Sequence, residues 1–131
     1  MSAVTRFFFR PSYLEQTTWS ILQWWEVRRA AYNLAVGGAG LLTLTAVALL
    51  IGLPPLPGLV LLVGSYAVMA NLCYCLGPML DVLIYRRFGP EFGAVGPALF
   101  RYGFVFALGL TLLPIPLAVM GAAAGVLSRL F

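Results

Sequence analysis

Two long apolar runs, residues 30–53 and 59–80, contain no Asp, Glu, Lys or Arg. An α-helix rises about 1.5 Å per residue, so roughly 20 apolar residues cross the ~30 Å hydrocarbon layer of a bilayer. Both runs reach that length. The segment between them is uncharged and contains Pro54, Pro55 and Pro57, which favours a tight turn. The sequence therefore predicts a transmembrane helical hairpin.

The composition agrees with a membrane environment. Of the 131 residues, 62% are hydrophobic and 9% are charged, whereas soluble domains average roughly 45–50% apolar and ~25% charged residues. The excess apolar surface requires lipid rather than water around it. We therefore expect one membrane domain over residues 1–131, an all-α integral membrane protein.

A third apolar stretch covers residues 98–125 and is interrupted by Pro114 and Pro116. Read as two passes, 98–113 and 117–131, it would provide only about 15–16 residues for each, fewer than the ~17–25 that a span needs. We therefore predict one Pro-kinked third helix after a cytoplasmic loop over 81–97. A fourth pass stays open as the alternative.

The first 29 residues form an aromatic and basic segment. Ser12 and Glu15 have capping-box spacing, and apolar residues recur at helical spacing over 13–29. This predicts an interfacial amphipathic helix. We favour a bend at Arg28 and Arg29 before the first span, with a straight continuation into that span as the alternative. Its anchors at the headgroup boundary would be these aromatic and basic side chains: Phe7, Phe8, Phe9, Trp19, Trp24, Trp25, Arg28 and Arg29.

The arginines predict the orientation. With three spans, seven of the eight arginines lie on the amino-terminal side and Arg129 lies opposite. The positive-inside rule then places the amino terminus in the cytoplasm, and we expect the bacterial inner membrane. Because the arginines flank apolar spans, we expect anionic lipid headgroups as their partners, and no nucleic acid.

Residue types that carry chemistry are scarce. The chain has no His, and no carboxylate lies within a predicted span, which leaves few groups for proton transfer or metal binding. Cys73 and Cys75 point about 200° apart on a helix and match no metal or haem motif. We therefore expect no enzymatic activity, no cofactor and no metal.

Small residues recur at helix-packing intervals in all three spans, and such stripes let membrane helices approach closely. We expect them to join the helices of this chain, with Gly121 and Gly125 as the alternative site for a helix of another chain. The predicted packing residues are Ala35, Ala39, Thr43, Gly64, Ala67, Asn71, Gly103, Ala107, Gly121 and Gly125.

Two polar contacts are predicted between helices. Asn71 lies deep in the second span and needs a hydrogen-bond partner, for which we expect Thr43, Thr45 or a backbone carbonyl of the first span. Asp81 and Arg101 lie at a similar depth on neighbouring helices, and we expect an ion pair between them, with Arg28 or Arg29 as competitors.

Two functions fit these patterns. The first is a small accessory or scaffold subunit that packs against a larger inner-membrane complex, with other membrane subunits or copies of itself as partners. The alternative is a homo-oligomeric channel or small transporter lined by Asn71, Thr43 and Thr45. Three spans are too few for a pore within one chain, so the channel requires a ring of copies.

Overall fold

A computed structural model describes Thr5, residues 17–90 and residues 95–130. In this part of the chain the order of helices is α1 (Thr18–Ile51), α2 (Leu56–Phe88), α3 (Gly96–Leu112) and α4 (Pro114–Leu130). Helix α1, helix α2 and the combined stretch of α3 and α4 are each long and apolar enough to cross a membrane. The prediction of three such helices is confirmed.

Helix α1 is continuous over 34 residues. Thr17 caps its first turn: the Thr17 hydroxyl accepts the Ser20 amide and the Ser20 hydroxyl accepts the Thr17 amide. From residue 18 onward, the helix expected over 13–29 is part of α1 and not a separate element. Helix α1 runs through Arg28 and Arg29 without interruption. Residues 13–16 and the predicted cap at Ser12 lie outside the described residues, as do Phe7, Phe8 and Phe9.

Helix α1 is longer than a bilayer is thick. At about 1.5 Å per residue it measures roughly 51 Å, against ~30 Å of hydrocarbon. Because 30–51 carries no charge and suits the hydrocarbon, the excess length is the amino-terminal third, residues 18–29. This third holds three residues of the buried core: Ile21, Trp24 and Trp25.

Helix α2 also extends past its predicted span of 59–80. It begins after Pro55, continues through Pro78 and ends at Phe88, where Gly89 adopts a φ of 77°. The last eight residues of α2 thus occupy what the sequence predicted as the start of a loop. The turn from α1 to α2 is short, and Gly52 enters it with a φ of 84°, a conformation that glycine adopts readily.

Helices α3 and α4 meet at Leu113, whose φ and ψ of −54° and −36° are themselves helical. The Leu113 amide donates to the Gly109 carbonyl at 3.0 Å. Pro114 then begins α4 in the first-turn position that suits proline. The two helices together form one apolar stretch of 35 residues, and this stretch is the third candidate membrane span.

Helix α1 packs against α2, α3 and α4. The buried residues of α2 are Tyr74, Pro78 and Asp81, all in its carboxyl-terminal half. Its amino-terminal half is largely exposed from Leu56 to Met69, with Leu59 and Tyr66 half-buried. The bundle is therefore tightly packed at the end where α1 begins and open at the opposite end of α2.

Candidate functional site

A buried hydrogen-bonded junction joins α1 to α2. The Trp25 indole Nε1 donates to Asp81 Oδ2 at 2.9 Å, and both side chains are 3% exposed. The Tyr74 hydroxyl donates to the Trp25 backbone carbonyl at 2.6 Å. Two side chains of α2 thus hold one residue of α1, which fixes the register of the two helices.

Aromatic rings surround this contact. Trp25 packs edge-on against Trp24, Tyr74 and Phe100, with ring centroids 5.4, 5.6 and 5.8 Å apart. Such geometry aligns the positive ring edge with the negative face of its neighbour. We call Trp24, Trp25, Tyr74, Asp81 and Phe100 the aromatic junction.

The junction changes the role expected for two tryptophans. Trp24 and Trp25 are each 3% exposed, so they form the core of the bundle instead of presenting their rings to the headgroup layer. Trp19 is 74% exposed and keeps an orientation suited to an interfacial anchor. The sequence indicated the aromatic enrichment of this segment but not which rings face inward.

The arginines next to the junction differ from each other. Arg28 is 4% exposed, lies 3.9 Å from the Trp24 ring centroid and donates from Nη1 to the Trp24 carbonyl at 2.8 Å. Arg29 is partly exposed and forms an ion pair with Glu26 at 2.7 Å. Arg28 is therefore packed against a ring, whereas Arg29 remains at the surface of the bundle.

Two glycines permit the close approach of the helices at the junction. A Cβ added at Gly77 would overlap the Trp25 ring, and one added at Gly96 would overlap the Asp81 carboxylate. Sequence reasoning missed both positions. The available signal was that each glycine precedes a proline, Gly77 before Pro78 and Gly96 before Pro97.

The predicted ion pair between Asp81 and Arg101 is not formed. Asp81 accepts from Trp25 inside the junction, and Arg101 is exposed on α3. Among the described residues, the ion pair observed is the one between Glu26 and Arg29. The sequence correctly placed Asp81 and the start of α3 at a similar depth, since Gly96 of α3 contacts Asp81. Residue spacing could not show in which direction each side chain points.

A second polar group lies farther along the bundle. Thr43 Oγ1 donates to the Thr111 carbonyl at 2.8 Å, and Thr111 Oγ1 donates to the Ala107 carbonyl at 2.6 Å. The Tyr66 hydroxyl also contacts Thr111 Oγ1. This group connects α1, α2 and α3, and sequence reasoning missed Tyr66 and Thr111 in it.

Asn71 forms two hydrogen bonds, neither of them with a threonine. Its Nδ2 donates to the Ala67 carbonyl at 3.0 Å, and its Oδ1 accepts from Asn33 Nδ2 at 3.3 Å. The partner does come from the first span, as expected, but it is the Asn33 side chain. Thr45 instead donates to the Leu41 carbonyl of its own helix at 2.8 Å.

The predicted small-residue stripes pack unevenly. Ala35, Ala39 and Ala107 are half-buried and Ala67 is exposed. Among the residues that the structure describes, no atom of another helix comes within 4 Å of a Cβ added at the glycines of these stripes: Gly64, Gly103, Gly121 and Gly125. These glycines therefore border open space and make no close contact between the described helices.

Two clefts lie beside α2. The α1–α2 cleft has a volume of about 400 Å³ and includes Thr43, Asn71 and Tyr66 in its lining. The α2–α3 cleft has a volume of about 370 Å³ and includes Trp25, Tyr74 and Phe100. Both volumes fall in the range of ligand sites, roughly 300–1,000 Å³.

Comparison of the chain with protein family models, curated proteins and solved structures gives no match. Within the residues that the structure describes, there is also no cluster of three His, Cys, Asp or Glu side chains that could hold a metal ion. The function of the protein is therefore inferred from the geometry of this chain alone.

Proposed function

We propose that this protein is a small, non-catalytic accessory subunit that packs through α4 against a helix of a larger bacterial inner-membrane complex. The observation that carries the proposal is the open space beside Gly121 and Gly125, where no described residue of another helix lies within 4 Å of an added Cβ. The two glycines are four residues apart and so lie on one face of α4.

The exposure of α4 supports this assignment. Ala118 is its buried residue, and from Val119 to Leu130 every residue except Ala122 is exposed. Glycines at this spacing allow two helix backbones to approach, and the resulting van der Waals contacts replace the hydrophobic driving force that lipid removes. A helix of another membrane protein is the occupant that suits this face.

The distribution of arginines supports an orientation with the amino terminus in the cytoplasm. Contacts among Trp25, Asp81 and Gly96 bring the start of α1, the end of α2 and the start of α3 to one end of the bundle. Five described arginines lie near that end, and Arg129 near the other: Arg28, Arg29, Arg86, Arg87 and Arg101. This asymmetry fits the positive-inside rule and contact with anionic headgroups.

The test is a double substitution, Gly121→Leu with Gly125→Leu, in a tagged chain purified in mild detergent. We expect the wild-type chain to copurify with one larger membrane complex at fixed stoichiometry. Because leucine side chains would fill the groove, the variant should lose that complex while its own bundle still unfolds at the wild-type temperature.

The matched control is Gly38→Leu on α1, since Gly38 is also exposed and also borders open space. This control should retain the complex. Loss of the complex with Gly38→Leu, or its retention by the double variant, would contradict docking through α4.

A channel made of several copies is the second candidate, because Thr43 and Asn71 line the same α1–α2 cleft. Thr45 is not part of that lining, and the hydroxyl and amide groups of Thr43 and Asn71 already have partners. Native mass spectrometry separates the two candidates: a closed ring of this chain alone supports the channel, and a mixed complex supports the accessory subunit.

A further inference from the structure

The lining of the α2–α3 cleft is unusually aromatic. Eight of its 18 lining residues are Trp, Tyr or Phe. The α1–α2 cleft, on the other side of α2, has 16 lining residues and one aromatic among them, Tyr66. Two clefts of similar size beside the same helix therefore differ in chemistry, and lipid exposure alone does not explain the difference.

The aromatic lining joins the buried core to the membrane. Trp25, Tyr74 and Phe100 belong to the aromatic junction and form the inner wall. Tyr102 and Phe106, at the rim on α3, are 75% and 69% exposed. A molecule dissolved in the bilayer can thus enter the cleft sideways and contact the rim rings, behind which the buried junction rings lie.

The polar atoms of the cleft indicate a neutral ligand. Among the described residues, no Asp, Glu, Lys or Arg lines it, and a charged group there would lack a counter-charge in a low-dielectric setting. The Tyr74 and Tyr66 hydroxyls are already bonded, to the Trp25 carbonyl and to Thr111 respectively. The lining therefore offers mainly ring contacts, with the exposed Tyr102 hydroxyl at its rim.

We propose that the α2–α3 cleft binds the flat conjugated ring of a neutral membrane lipid, a benzoquinone-type ring carried on a hydrocarbon tail. Offset or edge-on contact with aromatic side chains stabilises such a ring by about 0.5–1.5 kcal/mol per pair beyond the area that it buries. The tail remains among the surrounding lipid chains. This inference is independent of the accessory role, which concerns the opposite end of the chain on α4.

The probe is a benzoquinone with a short alkyl chain, because benzoquinones quench tryptophan fluorescence and Trp25 lines the cleft. The purified protein in lipid nanodiscs carries Trp19→Phe, which removes the emission of the exposed tryptophan. We expect quenching that saturates at one quinone per chain.

Gly103→Leu tests the position of the ligand. Gly103 lines the cleft, and a Cβ added there meets no described atom within 4 Å, so leucine has room to extend into the cleft. We expect an affinity lower by about tenfold or more. Gly109→Leu is the control, since Gly109 also borders open space on α3 but does not line the cleft, and it should bind as the unmodified chain does.

A second pair of variants keeps the test decisive if Gly103→Leu does not fold. Phe106→Ala removes a rim ring, whereas Val105→Ala changes an exposed neighbour that is not in the lining. Only the first should weaken binding. Non-saturating quenching, equal affinity in Gly103→Leu, or equal weakening by both alanine variants would overturn the proposal. So would displacement of the quinone by palmitate, since this would identify a groove for any hydrocarbon chain.

Discussion

Trp25→Ala is expected to lower the free energy of unfolding by about 3–5 kcal/mol, the cost of truncating a fully buried tryptophan. Trp25 contacts the rings of Trp24, Tyr74 and Phe100, so the substitution leaves a large cavity in the aromatic junction. It also removes the indole donor to Asp81. The measurement is reversible unfolding in mixed micelles, followed by circular dichroism.

The control for this experiment is Trp19→Ala on the same helix. Trp19 is 74% exposed, and substitutions of that kind change stability by about 0.5 kcal/mol or less. Trp25→Phe separates packing from hydrogen bonding: it keeps a ring but leaves the buried carboxyl of Asp81 without its donor, at a cost of roughly 1–3 kcal/mol. Equal effects of Trp19→Ala and Trp25→Ala would contradict the assignment of the junction as the core.

Gly77→Ala is expected to destabilise the protein by about 1–3 kcal/mol or more, the range for overpacking a tight contact. The added methyl group would overlap the Trp25 ring, which cannot move freely because Asp81 and the neighbouring rings hold it. The same unfolding assay measures the effect.

Gly64→Ala provides a matched comparison in the same helix. Nothing lies within 4 Å of a Cβ at Gly64, so alanine there should leave stability unchanged or raise it by roughly 0.5–1 kcal/mol through its better helix propensity. A neutral effect of Gly77→Ala would show that α1 and α2 are farther apart at this level than the structure places them.

The crossing elements were predictable because they depend on local composition. Runs such as 30–53 and 59–80 are apolar on every face, and a chain of that kind has few structures other than a membrane helix. The three-span interpretation of 98–125 depended only on the length available on each side of Pro114. The structure joins both halves through a helical Leu113, as that length argument requires.

The aromatic junction was not predictable in the same way, because it depends on which helix faces meet. Trp24 and Trp25 have the composition of a membrane-interface belt, and only the approach of α2 and α3 makes them core residues. The hydrogen-bond partner of Asp81 was not predictable either. Its proximity to α3 was inferred, yet its carboxylate accepts a hydrogen bond from Trp25 of α1. Side-chain partners across helices are set by tertiary packing and not by sequence spacing.

The contrast between the two ends of the bundle has a physical explanation. At the junction end, α1 is long enough to extend beyond the hydrocarbon layer, so burial of Ile21 and Trp24 removes apolar surface from water and gains free energy. At the other end, Leu61 and Val68 are exposed on a helix that is apolar enough to cross a membrane, and bringing helices together within lipid offers no such gain. The open half of α2 follows from that difference.

The topology is tested most directly by labelling single cysteines in intact bacterial cells with a membrane-impermeant maleimide. The chain carries Cys73→Ala and Cys75→Ala, with one new cysteine at Arg87 or at Ser128. Three crossings with the junction end in the cytoplasm predict that Ser128→Cys labels in intact cells and that Arg87→Cys labels only after permeabilisation. Labelling of Arg87→Cys in intact cells, or of both positions from the same side, would contradict the account.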